Sequence, residues 1–163
     1  MTAYQIDGIS GTGKTSLAAE FIKRGYAAID SDEVFAYFGN QETGEPTDEE
    51  IQANWIWDLD KVREMVSSAN GVVFICGGAM NQDKIKDIFD KRFMLVVDDN
   101  TLKERLLTRT NNDFGKHPDD LARQLEWNKT IVKEAKSVGS IVIDATKPIK
   151  NVADQILHIV HLS

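Results

Sequence analysis

Eight residues near the start of the chain, Gly8-Ile9-Ser10-Gly11-Thr12-Gly13-Lys14-Thr15, carry the spacing G-x-x-x-x-G-K-T. A short apolar stretch with Tyr4 and Ile6 precedes them, and a helical pattern follows. A strand, a glycine-rich loop and a helix in that order can wrap a phosphate tail. Glycines at 8, 11 and 13 let the backbone turn and come close to the phosphates without a Cβ in the way. Successive N–H groups then point inward as an anion nest, and the helix start adds its partial positive charge. The Lys14 ammonium can bridge the β- and γ-phosphates, and the Thr15 hydroxyl can ligate Mg²⁺. Ser10, Thr12 and Ser16 complete the set expected around ATP.

Other residue types suggest what happens to that phosphate. Asp30-Ser31-Asp32 closes an apolar run. Asp30 can orient or deprotonate an acceptor hydroxyl, or simply cap the next helix. Asp32 can face the acceptor or support Mg²⁺ through water. Arg105 and Arg109 stand four apart and share a helix face. From there they can neutralise charge on a γ-phosphoryl group in flight, or remain solvated beside Glu104. Lys116, His117 and Arg123 flank a polar loop and are either phosphate contacts or surface charges. Trp57 is the expected stacking surface for an acceptor, whereas Trp55 falls on an apolar stripe and reads as core. Phe114, in the polar loop, is an exposed ring that can exclude water.

Composition narrows the classes. The chain has 163 residues and a formal net charge of −7, with a pI near 4.9. That length suits one domain, 1–163, with room for a sizeable core. The acidic balance gives no sign of a polyanion-binding face, so no nucleic-acid partner is expected. Cys76 is the sole cysteine, which rules out an internal disulfide and suits a reducing compartment. Three histidines and one cysteine without ligand spacing argue against structural zinc. No leader pattern precedes the glycine-rich loop, and no apolar run approaches the roughly 20 residues a membrane helix needs. The expectation is a cytoplasmic protein, monomeric or homodimeric, with no membrane partner.

Strand and helix patterns alternate. Strands are expected at 3–7, 26–29, 72–76, 93–97 and 141–143. The first is polar for a buried strand, because of Gln5 and Asp7. A helix at 14–24 puts Leu17, Ala18, Phe21 and Ile22 on one face, with Gly25 as its stop. A short helix carries Val34, Phe35 and Phe38. Thr47 and Glu50 read as a capping box. The helix behind them carries Ile51, Trp55, Leu59, Val62 and Val66 as one stripe. Further helices are expected at 83–89, after a capping box of Thr101 and Glu104, at 118–137, and through Val152, Ile156 and Ile159. Such alternation means parallel crossovers and a three-layer α/β domain. Ligands in these folds sit at the carboxyl ends of the strands. The glycine-rich loop, Asp30/Asp32, Gly77/Gly78 and 144–148 all fall there.

Taken together, the P-loop, the Asp-Ser-Asp after the second strand and the arginine helix after the fourth resemble the small P-loop kinases. That superfamily includes shikimate kinase, gluconate kinase and the nucleoside monophosphate kinases. The resemblance spans nearly the whole chain and implies a P-loop NTPase fold: a five-stranded parallel sheet in the order 2-3-1-4-5, helices on both faces, and a lid at about 110–123. It implies an acceptor site over strands two and three, with Asp30, Asp32, Gly77 and Gly78 near it. Asp144-Ala145-Thr146-Lys147-Pro148 looks like the loop that cradles adenine, which adds Lys147 and Pro148 to the ATP set. No acid ends the strand at 76, unlike motor-type ATPases. No arginine near the third helix except Arg63 is available to grip a substrate carboxylate, and the lid lacks an arginine-rich pattern.

The expected activity is therefore transfer of the ATP γ-phosphoryl group, with Mg²⁺, to a hydroxyl or phosphate of a small molecule, a nucleoside or nucleotide being favoured. A sugar-acid or shikimate-like acceptor is the alternative. So is a nucleotide-binding regulator or weak ATPase without its own acceptor.

Overall fold

The computed structural model describes residues 1–162. A five-stranded parallel sheet forms its centre, built from β1 (Thr2–Gly8), β2 (Ala27–Asp30), β5 (Val72–Cys76), β6 (Lys91–Val96) and β7 (Ile141–Asp144). Their spatial order is β2-β5-β1-β6-β7, all neighbours parallel. Counting only these five strands, that is the expected 2-3-1-4-5. β1 lies at the centre, so the loop leaving it sits in the middle of the carboxyl edge.

Two helices, α1 (Lys14–Lys23) and α7 (Ile149–Ile159), cover one face. Leu17, Ala18 and Phe21 from α1 and Val152, Ala153, Ile156 and Leu157 from α7 bury against Tyr4, Ile6, Phe74 and Phe93. The Phe21 and Phe74 rings stack at 4.1 Å. Ile22, expected on the buried face of α1, is exposed. On the other face, α3 (Leu59–Ser68) buries Val62 and Val66 against Ala3, Val73 and Ile75. Side chains alternate along a strand, so Gln5 and Asp7 follow Ala3 onto this second face.

Several local expectations are corrected. The helix of Val34, Phe35 and Phe38 is only one turn, α2 (Ser31–Val34), followed by β3 (Ala36–Phe38). The stripe from Ile51 to Val66 is not one helix. β4 (Trp55–Trp57) pairs antiparallel with β3, and α3 starts only after Asp58 caps it by accepting from the Lys61 N–H. Thr47 accepts from the Glu49 N–H in a local turn and opens no helix. Spacings of four and three fitted a helix by chance, while the β-branched and aromatic run Trp55-Ile56-Trp57 found a strand partner. The segment Gln82–Ile88 is a 3₁₀ helix interrupted at Ile85, not an α-helix. The cap of α4 (Asp99–Thr108) is Asp98, which accepts from the Thr101 N–H at 2.7 Å, rather than Thr101 itself. The long helix at 118–137 is two, α5 (Pro118–Asn128) and α6 (Ile131–Ser137). Among the described residues no helix is long and apolar enough to cross a membrane.

Candidate active site

The P-loop runs from the end of β1 to the start of α1, at the centre of the carboxyl edge. Gly11 (φ 89°) and Gly13 (φ 103°) adopt the left-handed backbone that favours glycine. Gly8 is there for a different reason. A methyl on it would overlap Thr12 Oγ1 and come within 3.0 Å of the Leu95 carbonyl. Thr12 is itself buried, its hydroxyl donating to Ile9 O at 2.8 Å, and this closes the loop from inside. Lys14 Nζ donates to Gly8 O and reaches Ile9 O at 3.3 Å. Thr15 and Ser16 remain exposed at the start of α1.

Two carboxylates follow β2, and their surroundings differ. Asp30 accepts from the Thr15 hydroxyl at 2.6 Å through Oδ2 and from the Asp32 N–H at 3.1 Å through Oδ1. It is both a helix cap and the partner of the P-loop threonine. Asp30 and Asp32 were both candidates for metal support through water, and Asp30 is the one bonded to Thr15. The reason is that Asp30 ends the strand and faces α1, whereas Asp32 has turned into α2. The Trp55 side chain lies near enough to Asp32 to favour its charged form. The protein crowded around it raises the Asp32 pKa above the ordinary carboxylate range; Lys14 pulls it down, and Asp30 and Asp7 push it up.

The turn after β5 lies between these acids. Gly77 has φ 146°, and a methyl on it would overlap Ser31 Oγ and stand 3.4 Å from Asp32 Oδ1. A methyl on Gly78 would overlap the Asp7 carboxylate. The two glycines thus form a close-fitting floor between Asp32 on one side and Asp7 on the other.

The two arginines of α4 part company. Arg105 donates to Ala145 O at 2.9 Å and to Thr12 O at 3.4 Å. It straps the P-loop to the loop after β7 and does not stand with Arg109. Arg109, at the carboxyl end of α4, donates to the Ser10 hydroxyl at 2.9 Å and to Phe114 O. Its Nε is buried with no partner among the described residues, and burial lowers its pKa. A charged group that is half-buried and short of acceptors is well placed to take an anion. Phe114, exposed as expected, holds Arg109 through its carbonyl. Lys116 pairs with Asp113 at 2.8 Å and Arg123 with Asp120, so both are engaged within the loop and α5. Lys147 and Pro148 lie exposed in the loop after β7, where Pro148 caps α7.

Trp57 is corrected. It is 1% exposed and packs on Phe35 at 6.4 Å, in the core under α3. Trp55, expected in the core, is the half-buried ring, edge-on to Phe38 at 5.0 Å and near Asp32. Residues two apart share a face of a strand, so position along β4 separates the rings: Trp57, next to α3, is covered by Phe35, and Trp55, at the start of the strand, stays half-buried against Phe38. Trp57→Ala is expected to cost about 3–5 kcal/mol, a fall of roughly 6–20 °C in melting temperature. Trp55→Ala should move it much less and act instead on acceptor KM. Calorimetry and kinetics on the two variants check this, and the reverse pattern would restore Trp57 to the acceptor site.

Three participants were not singled out from sequence. Asp7 and Gln82 border the glycine floor. Gln124 of α5 is 1% exposed and donates to Gln52 Oε1 at 3.1 Å, tying α5 to the segment before β4. The polar residues Gln5 and Asp7 within a central strand were the available signal for the first two. Nothing in the α5 pattern marks Gln124.

Comparison with known proteins bears on this arrangement. A family model described as an AAA domain matches residues 5–126. Shikimate kinase 2 of Yersinia enterocolitica is 30% identical over 172 aligned positions, covering 93% of this chain and 91% of that one. Shikimate kinase from Acinetobacter baumannii, solved in complex with shikimate, superposes with a TM-score of 0.69 at 16% identity, covering 99% of this chain and 93% of the other. Deoxyadenosine kinase from M. mycoides with bound dATP gives 0.58 at 14%, covering 99% and 100%. At such identities the two solved structures speak for the fold alone.

Proposed function

This chain belongs to the small P-loop kinase superfamily and is a phosphotransferase acting on a small molecule, and on that premise we propose that it moves the γ-phosphoryl group of ATP to a hydroxyl of an uncharged, donor-rich acceptor, a nucleoside being favoured. The observation that carries the reading is Arg109 held on the Ser10 hydroxyl of the P-loop, half-buried and with Nε unpartnered.

The P-loop amides and Lys14 hold the β- and γ-phosphates, the ammonium turning from the Gly8 carbonyl to the phosphate oxygens. Thr15 and Asp30 offer hard oxygen donors side by side, which suits Mg²⁺, an ion that keeps several waters and takes few protein ligands. Thr15 and Asp30 would hold it, and it would supply positive charge to the phosphate oxygens. Asp32 lies on the acceptor side, where it accepts a hydrogen bond from the attacking hydroxyl and aligns it. Positioning matters more than base strength in such transfers. Arg109 spreads the transferring charge, and Phe114 with the rest of the lid keeps water out.

The acceptor class follows from the charges. Asp7, Asp30 and Asp32 surround the floor, while Arg63 donates to the Lys84 carbonyl and Arg123 pairs with Asp120. The acids around the floor would repel a carboxylate or a second phosphate on the acceptor. Trp55 and Phe38 supply a surface for a base or sugar ring. A carboxylate-bearing polyol is the second reading, favoured by the identity to the Yersinia enterocolitica shikimate kinase 2.

The test is ADP release with MgATP and a panel of adenosine, deoxyadenosine, cytidine, shikimate and gluconate. A nucleoside that raises the rate at least tenfold over the acceptor-free value supports the first reading. Stimulation by shikimate or gluconate alone moves the assignment to the second. Equal slow hydrolysis throughout marks a regulator or weak ATPase.

A further inference from the structure

Three side chains that none of these steps uses, Gln5, Asp7 and Gln82, are wired together behind the glycine floor. Asp7 Oδ1 accepts from the Gly8 N–H at 2.7 Å, and Asp7 Oδ2 accepts from Gln82 Nε2 at 2.9 Å. Gln82 Oε1 accepts from Gln5 Nε2 at 2.5 Å and from the Ala79 N–H at 3.3 Å. Gln5 Nε2 also reaches Gly77 O at 3.2 Å. One end of this chain is therefore the first glycine of the P-loop, and the other is the turn 77–79. Gln5 is 2% exposed, and burying an amide in a central strand costs free energy unless it is bonded. Gln5, Asp7 and Gln82 line a cavity of about 300 Å³ that also touches Met94 and Trp127. Beside that cavity, hydrogen bonds hold the three side chains to one another and to the turn.

We propose that Asp7 is a positioning residue which, through Gln82, holds the acceptor-side turn 77–79 in register with the first glycine of the P-loop, so that nucleotide binding is transmitted to the acceptor floor. Lys14 donates to Gly8 O, and phosphates compete for that ammonium. Occupation of the P-loop changes the environment of the Gly8 carbonyl, and the N–H on the other side of the same Cα is tied to Asp7. From there the bonds run to Gln82 and the Ala79 amide. Gly78 rests directly on the Asp7 carboxylate with no room for a methyl, so the turn follows any movement of that group. The inference rests on the P-loop and glycine-floor reading given above.

The directions of the bonds provide a test. In Gln82→Glu, studied at a pH high enough that the facing carboxylates share no proton, two like charges meet and the link breaks. In the double variant D7N/Q82E, the amide at position 7 accepts from Gly8 and donates to the carboxylate at position 82. That carboxylate still accepts from Gln5 and Ala79. The pattern is restored at the same net charge.

The probe is MgADP on the full chain, with the ¹H–¹⁵N signals of Gly77, Gly78 and Ala79 followed by NMR and affinity by calorimetry. MgADP should shift these signals in the wild type. The shift should fall below about a third of its size in Q82E and in Q82L, with MgADP Kd changed less than threefold, and return in D7N/Q82E. Q82L, nearly isosteric and uncharged, serves if Q82E fails to fold. Equal shifts in wild type and Q82L, or no recovery in the double variant relative to Q82E, overturn the proposal while leaving the kinase reading in place. If MgADP does not bind the wild type at all, the P-loop reading falls and the proposal with it.

Discussion

Lys14→Ala is expected to lower ADP formation with the best acceptor by about three orders of magnitude. The ammonium is aimed at charge that grows on the β- and γ-phosphates during transfer, so its removal raises the barrier more than it weakens nucleotide binding. The fold should survive. Lys14 bonds only to the carbonyls of Gly8 and Ile9, and the loop is closed independently by the Thr12 hydroxyl on Ile9 O. A stability change of about 1 kcal/mol or less is expected, checked by thermal melting beside steady-state kinetics. A variant that turned over at the native rate would remove the main support for phosphoryl transfer at this loop.

Arg109→Ala should produce the second largest effect, a loss in kcat on the order of 10³ with MgATP affinity weakened tenfold or less. The guanidinium sits over Ser10 with Nε unpartnered, and the Phe114 carbonyl braces it. A group brought to the γ-phosphate by a lid contributes most when the transferring charge is spread over its oxygens. Calorimetric titration with a non-hydrolysable ATP analogue separates binding from turnover. Native kcat with lost ATP affinity would make Arg109 a binding residue only. Arg105 should not behave alike. Its two carbonyl partners, Thr12 and Ala145, make it a strap between the phosphate loop and the loop after β7.

Much of the framework was legible before folding was considered. The alternation of apolar runs with amphipathic stretches predicted the five-strand sheet and its crossover helices, because each of those elements buries its own face. The exceptions lie where two periods compete over a short segment. Ile51 to Val66 matched helical spacing, yet the structure makes a strand of Trp55-Ile56-Trp57 and starts α3 only after Asp58. The gain from pairing with Ala36–Phe38 is a tertiary contact that no local window contains. The position of that strand buried Trp57 under α3 and left Trp55 half-buried. The helix at 118–137 likewise breaks at 129–130, where the chain folds over so that Ile131 and Ala135 can reach the sheet.

The sequence by itself determined the phosphate cradle. Its amides, ammonium and hydroxyl come from eight consecutive residues, so local geometry suffices to bring them together. The tertiary structure decided the second half of the site. It set Asp30 on Thr15, left Trp55 half-buried near Asp32, and laid Gly78 on Asp7 with Gln82 behind it. Asp7 and Gln82 are 75 residues apart. They meet because β1 pairs between β5 and β6, and a pairing of that range is chosen by burial of whole faces, which no stretch of neighbouring residues encodes.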